Sequence, residues 1–168
     1  MSPTPKTARD TATVAVRPLA ECEADTCEQI LRALPDWFGI EEAIVQYRRD
    51  IEAMETYVAE VNGDLAGFLT LNRHNKHTAE IQVMAVRPES HGLGIGRALV
   101  EHAETLLRSR AVEYLEVKTL GPSRPNAHYE KTRGFYLAMG FLPLEENKLW
   151  GERNPCLIMI KHLRCGAP

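Results

Sequence analysis

Three glycines at alternate positions, Gly92, Gly94 and Gly96, form the most informative pattern in this sequence of 168 residues. They follow an apolar run over residues 80–86 and lead directly into an amphipathic segment over residues 97–110. Glycines let successive backbone N–H groups converge on an anion, and the first turn of a helix adds unpaired N–H groups and a positive dipole end. The pattern predicts an anion cradle, with a simple tight connection between strand and helix as the alternative.

The two common nucleotide-binding loops do not fit this spacing. A dinucleotide fingerprint needs a third glycine three residues after the second, but Arg97 or Leu99 stands there. The loop that binds nucleoside triphosphates ends in Gly-Lys-Ser/Thr, a triplet that this sequence lacks. The cradle therefore indicates a different phosphate ligand.

The segment His91-Gly-Leu-Gly-Ile-Gly96 resembles motif A of the GNAT acyltransferase superfamily, written Gln/Arg-x-x-Gly-x-Gly/Ala. The resemblance implies acetyl-coenzyme A as acyl donor, with its pyrophosphate on the loop amides and its pantetheine arm along the preceding strand. His91 stands where the family has Arg or Gln, and Leu93 where Lys is frequent, so we expect weaker coenzyme affinity, partly offset by Arg97. The implied coenzyme-binding residues are Met84, Ala85, Val86, His91, Gly92, Leu93, Gly94, Ile95, Gly96, Arg97 and Tyr129.

A second segment, residues 133–141 (RGFYLAMGF), resembles the end of GNAT motif B, written Leu/Phe-Tyr-x-x-x-Gly-Phe. The resemblance implies that Tyr136 protonates the leaving thiolate of coenzyme A, a kind of catalysis that typically contributes ~10²–10⁴-fold. The alternative is an aromatic residue that only packs its helix on the sheet. Tyr129 takes the position at which the family usually contacts pantetheine through Asn.

An acceptor amine must lose a proton before it attacks a thioester, and Glu80 is our candidate base. By resemblance, it occupies a strand position, six residues before the motif A valine, that serves as general base in several GNAT enzymes. Burial in the sheet would raise its pKa towards the useful range. A solvent-facing glutamate, with water as the base, is the alternative, and His74 or His77 could also carry the proton.

The resemblance also places the acceptor pocket between the first two helices and the last β-hairpin. These segments contain aromatic and acidic residues, a combination that suits an organic cation. Trp37 and Phe38 could instead only anchor their loop to the core. The candidate acceptor-binding residues are Asp36, Trp37, Phe38, Glu130 and Trp150.

These residues must be positioned by strands and helices. The order of the predicted strands and helices indicates an α+β fold, with a mixed central sheet and helices on both of its faces. Asn62-Gly63 between two apolar runs predicts a tight hairpin turn, and Gly140 is a natural helix C′ residue. Predicted strands cover residues 13–17, 56–61, 65–72, 80–86, 114–119, 141–144 and 156–161; predicted helices cover 21–34, 41–54, 97–110 and 129–139.

Composition excludes several other classes of protein. With 44% hydrophobic and 26% charged residues, the chain is typical of a globular domain. A formal charge of −3 argues against nucleic-acid binding, and no apolar run approaches the ~20 residues that span a bilayer. Four cysteines without zinc spacing suggest reduced thiols, no metal and a cytoplasmic location. We expect a frayed segment over residues 1–12 and one acetyltransferase domain over 13–163.

Taken together, these patterns predict transfer of an acetyl group to the primary amine of a small molecule, by direct attack in a ternary complex. A protein or peptide acceptor is the alternative within the enzyme class. A coenzyme A-binding sensor without turnover is the alternative outside it. A homodimer is left open.

Overall fold

The computed structural model describes residues 13–163, so the prediction for residues 1–12 lies outside the described residues. The strands are β1 (Val14–Pro18), β2 (Glu55–Val61), β3 (Asp64–Arg73), β4 (Thr78–Val86), β5 (Tyr114–Leu120), β6 (Leu142–Asn147) and β7 (Cys156–His162). The helices are α1 (Ala24–Arg32), α2 (Glu41–Ala53), α3 (Ile95–Ser109) and α4 (Ala127–Ala138). Within residues 13–163, no helix has both the length and the hydrophobicity that crossing a bilayer requires.

The strands form one sheet in the order β1-β2-β3-β4-β5-β7-β6. Only β4 and β5 pair in parallel among the described strands; every other neighbouring pair is antiparallel. The predicted mixed sheet is therefore confirmed. The expected Asn62-Gly63 turn is also present, because both residues have positive φ, 53° and 84°, as a tight hairpin of this kind requires.

Two hydrophobic clusters attach the helices to opposite faces of the sheet, which confirms the predicted architecture. One cluster joins α1 and α2 to the sheet, with Ile30 and Ile51 fully buried against Phe68. The other joins α3 and α4 to the sheet through residues such as Leu99 and Met139. Burying each large aliphatic side chain stabilises the fold by about 1.5–3 kcal/mol.

Two observed boundaries differ from the predicted ones by three residues, and the others differ by two or fewer. Helix α1 begins at Ala24 rather than at residue 21, because Cys22 adopts a left-handed φ of 67° that no helix can continue through. Strand β6 continues to Asn147 rather than ending at Leu144. It is an edge strand, and five of its six residues are exposed, so its charged residues are tolerated there.

A β-bulge in β4 opens the sheet at its centre. Ile81 pairs with Leu71 and Val83 pairs with Thr70, so Gln82 is an extra residue in β4. A bulge bends its strand and increases the local twist. Strand β5 accordingly pairs with β4 only up to Ile81, and no described strand covers the same side of β4 from Gln82 to Val86. The two parallel strands thus separate just before the glycine-rich loop.

Candidate active site

The loop between β4 and α3 presents a run of backbone N–H groups without partners. The amides of residues 92–97 make no hydrogen bond to any described residue. The amides just before them are used locally, since Ser90 and His91 donate to the carbonyls of Arg87 and Pro88. The first bond of α3 is donated by Ala98. Six consecutive amides are therefore available at the positive end of a 15-residue helix.

Two of the glycines have different physical roles in this loop. Gly94 precedes α3 in the left-handed region at φ 80°, and a Cβ there would meet no atom within 4 Å, so the space beside its amide is open. Gly96 lies in the first turn of α3, where an added Cβ would come within 3.3 Å of the Phe135 ring. One glycine gives the loop its shape, and the other allows α3 to approach α4 closely.

A cavity of about 610 Å³ extends from this loop into the gap between β4 and β5. It brings together residues that the sequence placed in separate groups. The predicted site residues that line it are Trp37, Phe38, Met84, Ala85, Val86, His91, Gly92, Gly94, Ile95, Gly96, Arg97, Tyr129, Tyr136 and Trp150. The predicted residues Asp36, Glu80, Leu93 and Glu130 are not part of its lining.

The side chains beside the loop already make contacts of their own or lie outside the cavity lining. His91 Nε2 lies 2.9 Å from the carbonyl oxygen of Val86, so this ring is directed at the strand backbone. The Arg97 side chain is 57% exposed and forms a loose ion pair with Glu101 at 3.6 Å. Leu93, where a lysine is frequent in the resembled motif, is more than half exposed and points away from the cavity lining.

Tyr136 is held in place by the way α4 ends. Gly140 has a φ of 88° and donates to the carbonyl of Leu137, while Phe141 donates to the carbonyl of Tyr136. This pair of bonds is the Schellman arrangement, and its usual apolar contact is present because the Tyr136 and Phe141 rings lie 5.4 Å apart. The Tyr-x-x-x-Gly-Phe spacing therefore encodes a helix stop that fixes the tyrosine.

The hydroxyl of Tyr136 is chemically suited to act as an acid. The residue is buried, and burial raises the pKa of Tyr136 above its usual value of 10.0. Its hydroxyl makes no hydrogen bond to another described residue, and the side chain lines the cavity. The phenol thus stays protonated at neutral pH and faces the space where a ligand would lie.

Glu80 belongs to a compact ionic cluster just behind the cavity wall. It is only 6% exposed, so the alternative of a solvent-facing glutamate is wrong. Its Oε2 lies 2.7 Å from His74 Nε2 and 2.9 Å from Lys118 Nζ. Lys118 also contacts Glu116 at 2.6 Å and lines the cavity. Burial lowers the pKa of Lys118, but its bonds to Glu116 and Glu80 raise that pKa by more, so the ammonium stays charged.

The aromatic residues of the α1–α2 loop connect that loop to α4. The Trp37 indole N–H donates to Thr132 Oγ1 at 3.0 Å, and the Trp37 carbonyl accepts from the Tyr129 hydroxyl at 2.7 Å. The Trp37 ring also packs edge-on against His128, at 4.8 Å between centroids. Phe38 packs in the same manner on Tyr47 at 5.9 Å. Burial of the Tyr129 phenol raises its pKa to about 12.

Three predicted residues at this end differ in their relation to the cavity. Trp150 lines it from the β6–β7 loop while remaining 40% exposed. Asp36 is exposed outside the lining, with a carboxylate oxygen 3.6 Å from His128 Nε2. Glu130 is an exposed residue in the first turn of α4. The cavity therefore has aromatic walls at this end. Neither of the two carboxylates predicted to line it, Asp36 and Glu130, does so.

Sequence reasoning missed seven polar lining residues, namely Tyr47, Gln82, Ser90, Lys118, Thr119, Lys131 and Thr132. Gln82 carried a usable signal, since it is the single polar residue within the apolar run 81–86. Lys118 and Thr119 could have been found by pairing β5 with β4 in parallel. Behind Gln82 lies the buried carboxylate of Asp50, which accepts its side-chain N–H at 2.9 Å.

Comparison with known proteins agrees with this geometry. The sequence profile described as the acetyltransferase (GNAT) family matches residues 24–141. An uncharacterized N-acetyltransferase of Chlorobaculum tepidum is 30% identical over 68% of this chain and 66% of its own length. Streptothricin acetyltransferase of Streptomyces lavendulae is 27% identical over 70% of this chain and 61% of its own length. The chain thus spans slightly less than two thirds of each of these relatives.

A solved structure supports the same assignment at the level of the fold. The crystal structure of a protein from Desulfovibrio desulfuricans, described as a GNAT-family acetyltransferase, superimposes with a TM-score of 0.78. It covers 90% of this chain and 100% of its own, at 19% identity. Since the family profile matches well over half of the 168 residues, and the fold agrees, the chain belongs to the acetyltransferase (GNAT) family.

Proposed function

We propose that this protein transfers the acetyl group of acetyl-coenzyme A to the primary amine of a small molecule, by direct attack within a ternary complex. The observation that carries the proposal is the run of unpartnered amides at residues 92–97, placed at the mouth of a cavity that enters a split sheet. Such amides at a helix N-terminus suit a pyrophosphate. The split gives an extended arm a path towards the centre of the sheet.

Strand β4 supplies the second half of the coenzyme site. Beyond Ile81 it has no partner on the β5 side, so its main chain can pair with the amide-containing pantetheine arm, as an added strand would. Met84, Ala85 and Val86 all line the cavity along this stretch. The carbonyl of Val86 is held by His91, so a ligand that uses this oxygen must share or replace that contact.

Tyr136 is assigned the role of general acid. When the amine attacks the thioester carbonyl, the carbon–sulfur bond later breaks and a thiolate leaves. A neutral phenol beside the sulfur can give that thiolate its proton. The buried, protonated hydroxyl of Tyr136, without a competing partner among the described residues, supports this role.

Glu80 is assigned the role of proton acceptor, acting through water. Its carboxylate lies behind Lys118 rather than on the cavity wall, so direct contact with the amine is not part of the proposal. His74 bonds to the same carboxylate and is exposed, so it links Glu80 to the solvent. The two alternatives recognised in the sequence, Glu80 and His74, thus form one hydrogen-bonded unit.

The acceptor end favours a small organic cation. Trp37, Phe38 and Trp150 provide aromatic faces, which attract cations. The buried carboxylate of Asp50, bonded to Gln82, adds negative charge nearby, whereas that of Glu80 is paired with Lys118. The name of the streptothricin relative is consistent with a small-molecule acceptor. A cytoplasmic location and a reaction without a metal ion complete the proposal.

The decisive experiment measures release of coenzyme A thiol from acetyl-coenzyme A in the presence of candidate acceptors. One panel contains polyamines, aminoglycosides and amino acids, and the other contains peptides with free N-termini or lysines. We expect turnover on at least one small amine and little turnover on peptides. Preferential turnover on peptides would favour a protein acceptor, while tight coenzyme binding without thiol release across both panels would favour a sensor.

A further inference from the structure

Asp50 carries a buried negative charge that has no cationic partner in the described chain. The residue lies in α2 and is 6% exposed. Its two carboxylate oxygens accept hydrogen bonds from neutral amides, Gln46 Nε2 at 2.8 Å and Gln82 Nε2 at 2.9 Å. No lysine, arginine or histidine of residues 13–163 forms an ion pair with it. Buried charges in proteins are normally paired with an opposite charge, so this carboxylate requires an explanation.

Tyr47 lies one turn of α2 before Asp50, on the same face of the helix. It lines the cavity, and its ring packs edge-on against Phe38. Its hydroxyl bonds to no described residue and is not fully buried, so a ligand in the cavity can reach it. Burial and the nearby Asp50 carboxylate raise the pKa of Tyr47, so the group is a neutral phenol whose oxygen can accept a hydrogen bond.

Gln82 connects Asp50 to the cavity. It is the extra residue of the β4 bulge, and it lines the cavity, whereas Asp50 does not. Its Nε2 donates to Asp50 while its Oε1 accepts from Asn72 Nδ2 at 3.2 Å. These two bonds fix the orientation of the amide and leave Oε1 with the capacity to accept a second bond. Asp50 therefore acts on the contents of the cavity through Gln82 and through its charge, not by contact.

The described lysine and arginine residues that line the cavity do not supply the missing positive charge. Lys118 is already shared by two carboxylates. Arg97 and Lys131 lie at the coenzyme end, since Arg97 follows Gly96 and Lys131 lies one helical turn before Phe135, whose ring is next to that glycine. The wall formed by α2 and the β4 bulge therefore has a negative charge that no described cation compensates.

We propose that the acceptor is a diamine whose second, protonated amine lies against the Tyr47 hydroxyl and the Gln82 amide, where the charge of Asp50 stabilises it. The inference rests on the proposed function and narrows its acceptor to an amine that stays positively charged after one nitrogen has been acetylated. An ammonium group has three N–H donors, and the oxygens of Tyr47 and Gln82 are acceptors for two of them. Asp50 is a positioning residue, because it orients Gln82 and does not touch the acceptor.

The first part of the test compares matched acceptors on the wild-type protein. Each α,ω-diamine of three to six carbons is paired with the alkylamine that has a methyl group, and with the ω-amino acid that has a carboxylate, in place of the second amine. Release of coenzyme A thiol gives kcat/KM, and calorimetric titration into protein saturated with coenzyme A gives Kd without turnover. We expect the best diamine to exceed its alkylamine by about 10-fold to 100-fold in both measurements, with the amino acid weakest.

The second part uses variants of α2. Asp50→Asn should weaken the diamine far more than the alkylamine, so that the preference falls to about threefold or less, because the charge is lost. Tyr47→Phe keeps the ring on Phe38 and should raise the KM of the diamine about three- to tenfold with kcat unchanged. Glu52→Gln is the matched control, since it removes a carboxylate from the exposed side of the same helix, and it should keep the full preference. The Kd of coenzyme A should be the same in all three variants.

Three results would overturn the proposal: a diamine no better than its alkylamine, a preference that Asp50→Asn leaves intact, or an equal loss of both acceptors in that variant. The third would assign Asp50 a purely structural role. If thermal unfolding shows that the Asn variant is not folded, Tyr47→Phe decides, and an unchanged KM of the diamine would then refute the site. Wild-type protein that binds coenzyme A but neither binds nor acetylates any diamine would overturn this inference alone, whereas failure to bind coenzyme A would refute the proposed function.

Discussion

The two ends of the cavity are built from different parts of the polypeptide. At the coenzyme end, the groups available to a ligand are backbone amides, at residues 92–97, without partners in the described chain. At the acceptor end, the available groups are side chains that already contact one another, such as Trp37 with Thr132 and Glu80 with Lys118. The coenzyme end thus offers unpaired backbone groups, whereas most polar side chains of the acceptor end already bond to one another.

The two ends should therefore differ in how they tolerate side-chain substitutions. Backbone amides depend on loop shape, so most side-chain changes at the coenzyme end should matter little unless they fill the space or alter φ. A ligand at the acceptor end must replace or extend existing side-chain contacts, so its preference depends on the particular residues present. One coenzyme site can therefore serve many acceptor sites on the same fold.

Gly94→Val should produce the largest effect, confined to the coenzyme end. A valine Cβ would occupy the open space beside the amides and would be strained at φ 80°. Loss of several bonds to a charged group should weaken coenzyme A binding by about 100-fold or more. Titration of coenzyme A into the purified variant measures this, with circular dichroism to confirm that the fold is retained.

Gly63→Val is the matched control for that substitution. Gly63 has nearly the same φ, 84°, and similarly open surroundings, but it lies in the β2–β3 turn, outside the cavity lining. It should lose a similar amount of stability, about 1–2 kcal/mol, while binding coenzyme A normally. Equal weakening in both variants would mean that backbone strain, and not the cradle, explains the Gly94 result.

The same contrast explains how much could be predicted from the sequence. The cradle lies within six successive residues, and the helix stop that fixes Tyr136 lies within Tyr136 to Phe141, so both are local patterns with local causes. The order of strands and helices followed from periodicity and from turn signals such as Asn62-Gly63. These features could be recognised before any long-range contact was known.

The features that escaped prediction depend on contacts between distant segments. The bulge at Gln82 appears only from the register of β4 against β3. The ion pairs of Lys118 arise because β5 lies parallel to β4, which brings Glu80 opposite Glu116. The bond from Trp37 to Thr132 joins residues 95 positions apart. No spacing rule within one segment could have given these pairs.

Tyr136→Phe should affect the rate of acetyl transfer rather than the binding of coenzyme A. It therefore tests the reaction step separately from the two binding ends of the cavity. Loss of the phenol should lower kcat by about 10²-fold while leaving the Kd of coenzyme A nearly unchanged. Because burial raises the pKa of Tyr136 above 10, the wild-type phenol stays protonated, and the loss should be equal at pH 7 and pH 9. Steady-state kinetics with a saturating amine would show it. An unchanged kcat would remove the assigned role.

Glu80→Gln should lower kcat/KM by about 10-fold to 100-fold and remove the acid limb of its pH profile, because a base works only when deprotonated. Glu116→Gln is the matched control, since Glu116 contacts the same Lys118 ammonium and loses the same charge. It should change kcat/KM by only a few-fold and keep the limb. A profile for Glu80→Gln identical to that of the wild type would point to water or His74 as the acceptor.

Trp37→Phe should have the smallest effect and addresses the pre-existing contacts of the acceptor end. It removes the indole N–H that donates to Thr132 but keeps an aromatic ring on the cavity wall. We expect the KM of the acceptor to rise about three- to fivefold, with the Kd of coenzyme A unchanged. If the bond stabilises the loop, the double variant with Thr132→Val should lose less stability than the sum of the single variants, by about 0.5–1.5 kcal/mol in urea unfolding. Strict additivity, together with an unchanged acceptor KM, would show that the acceptor end does not depend on this contact. The contrast between the two ends of the cavity would then depend only on the ionic cluster of Glu80, Lys118 and Glu116.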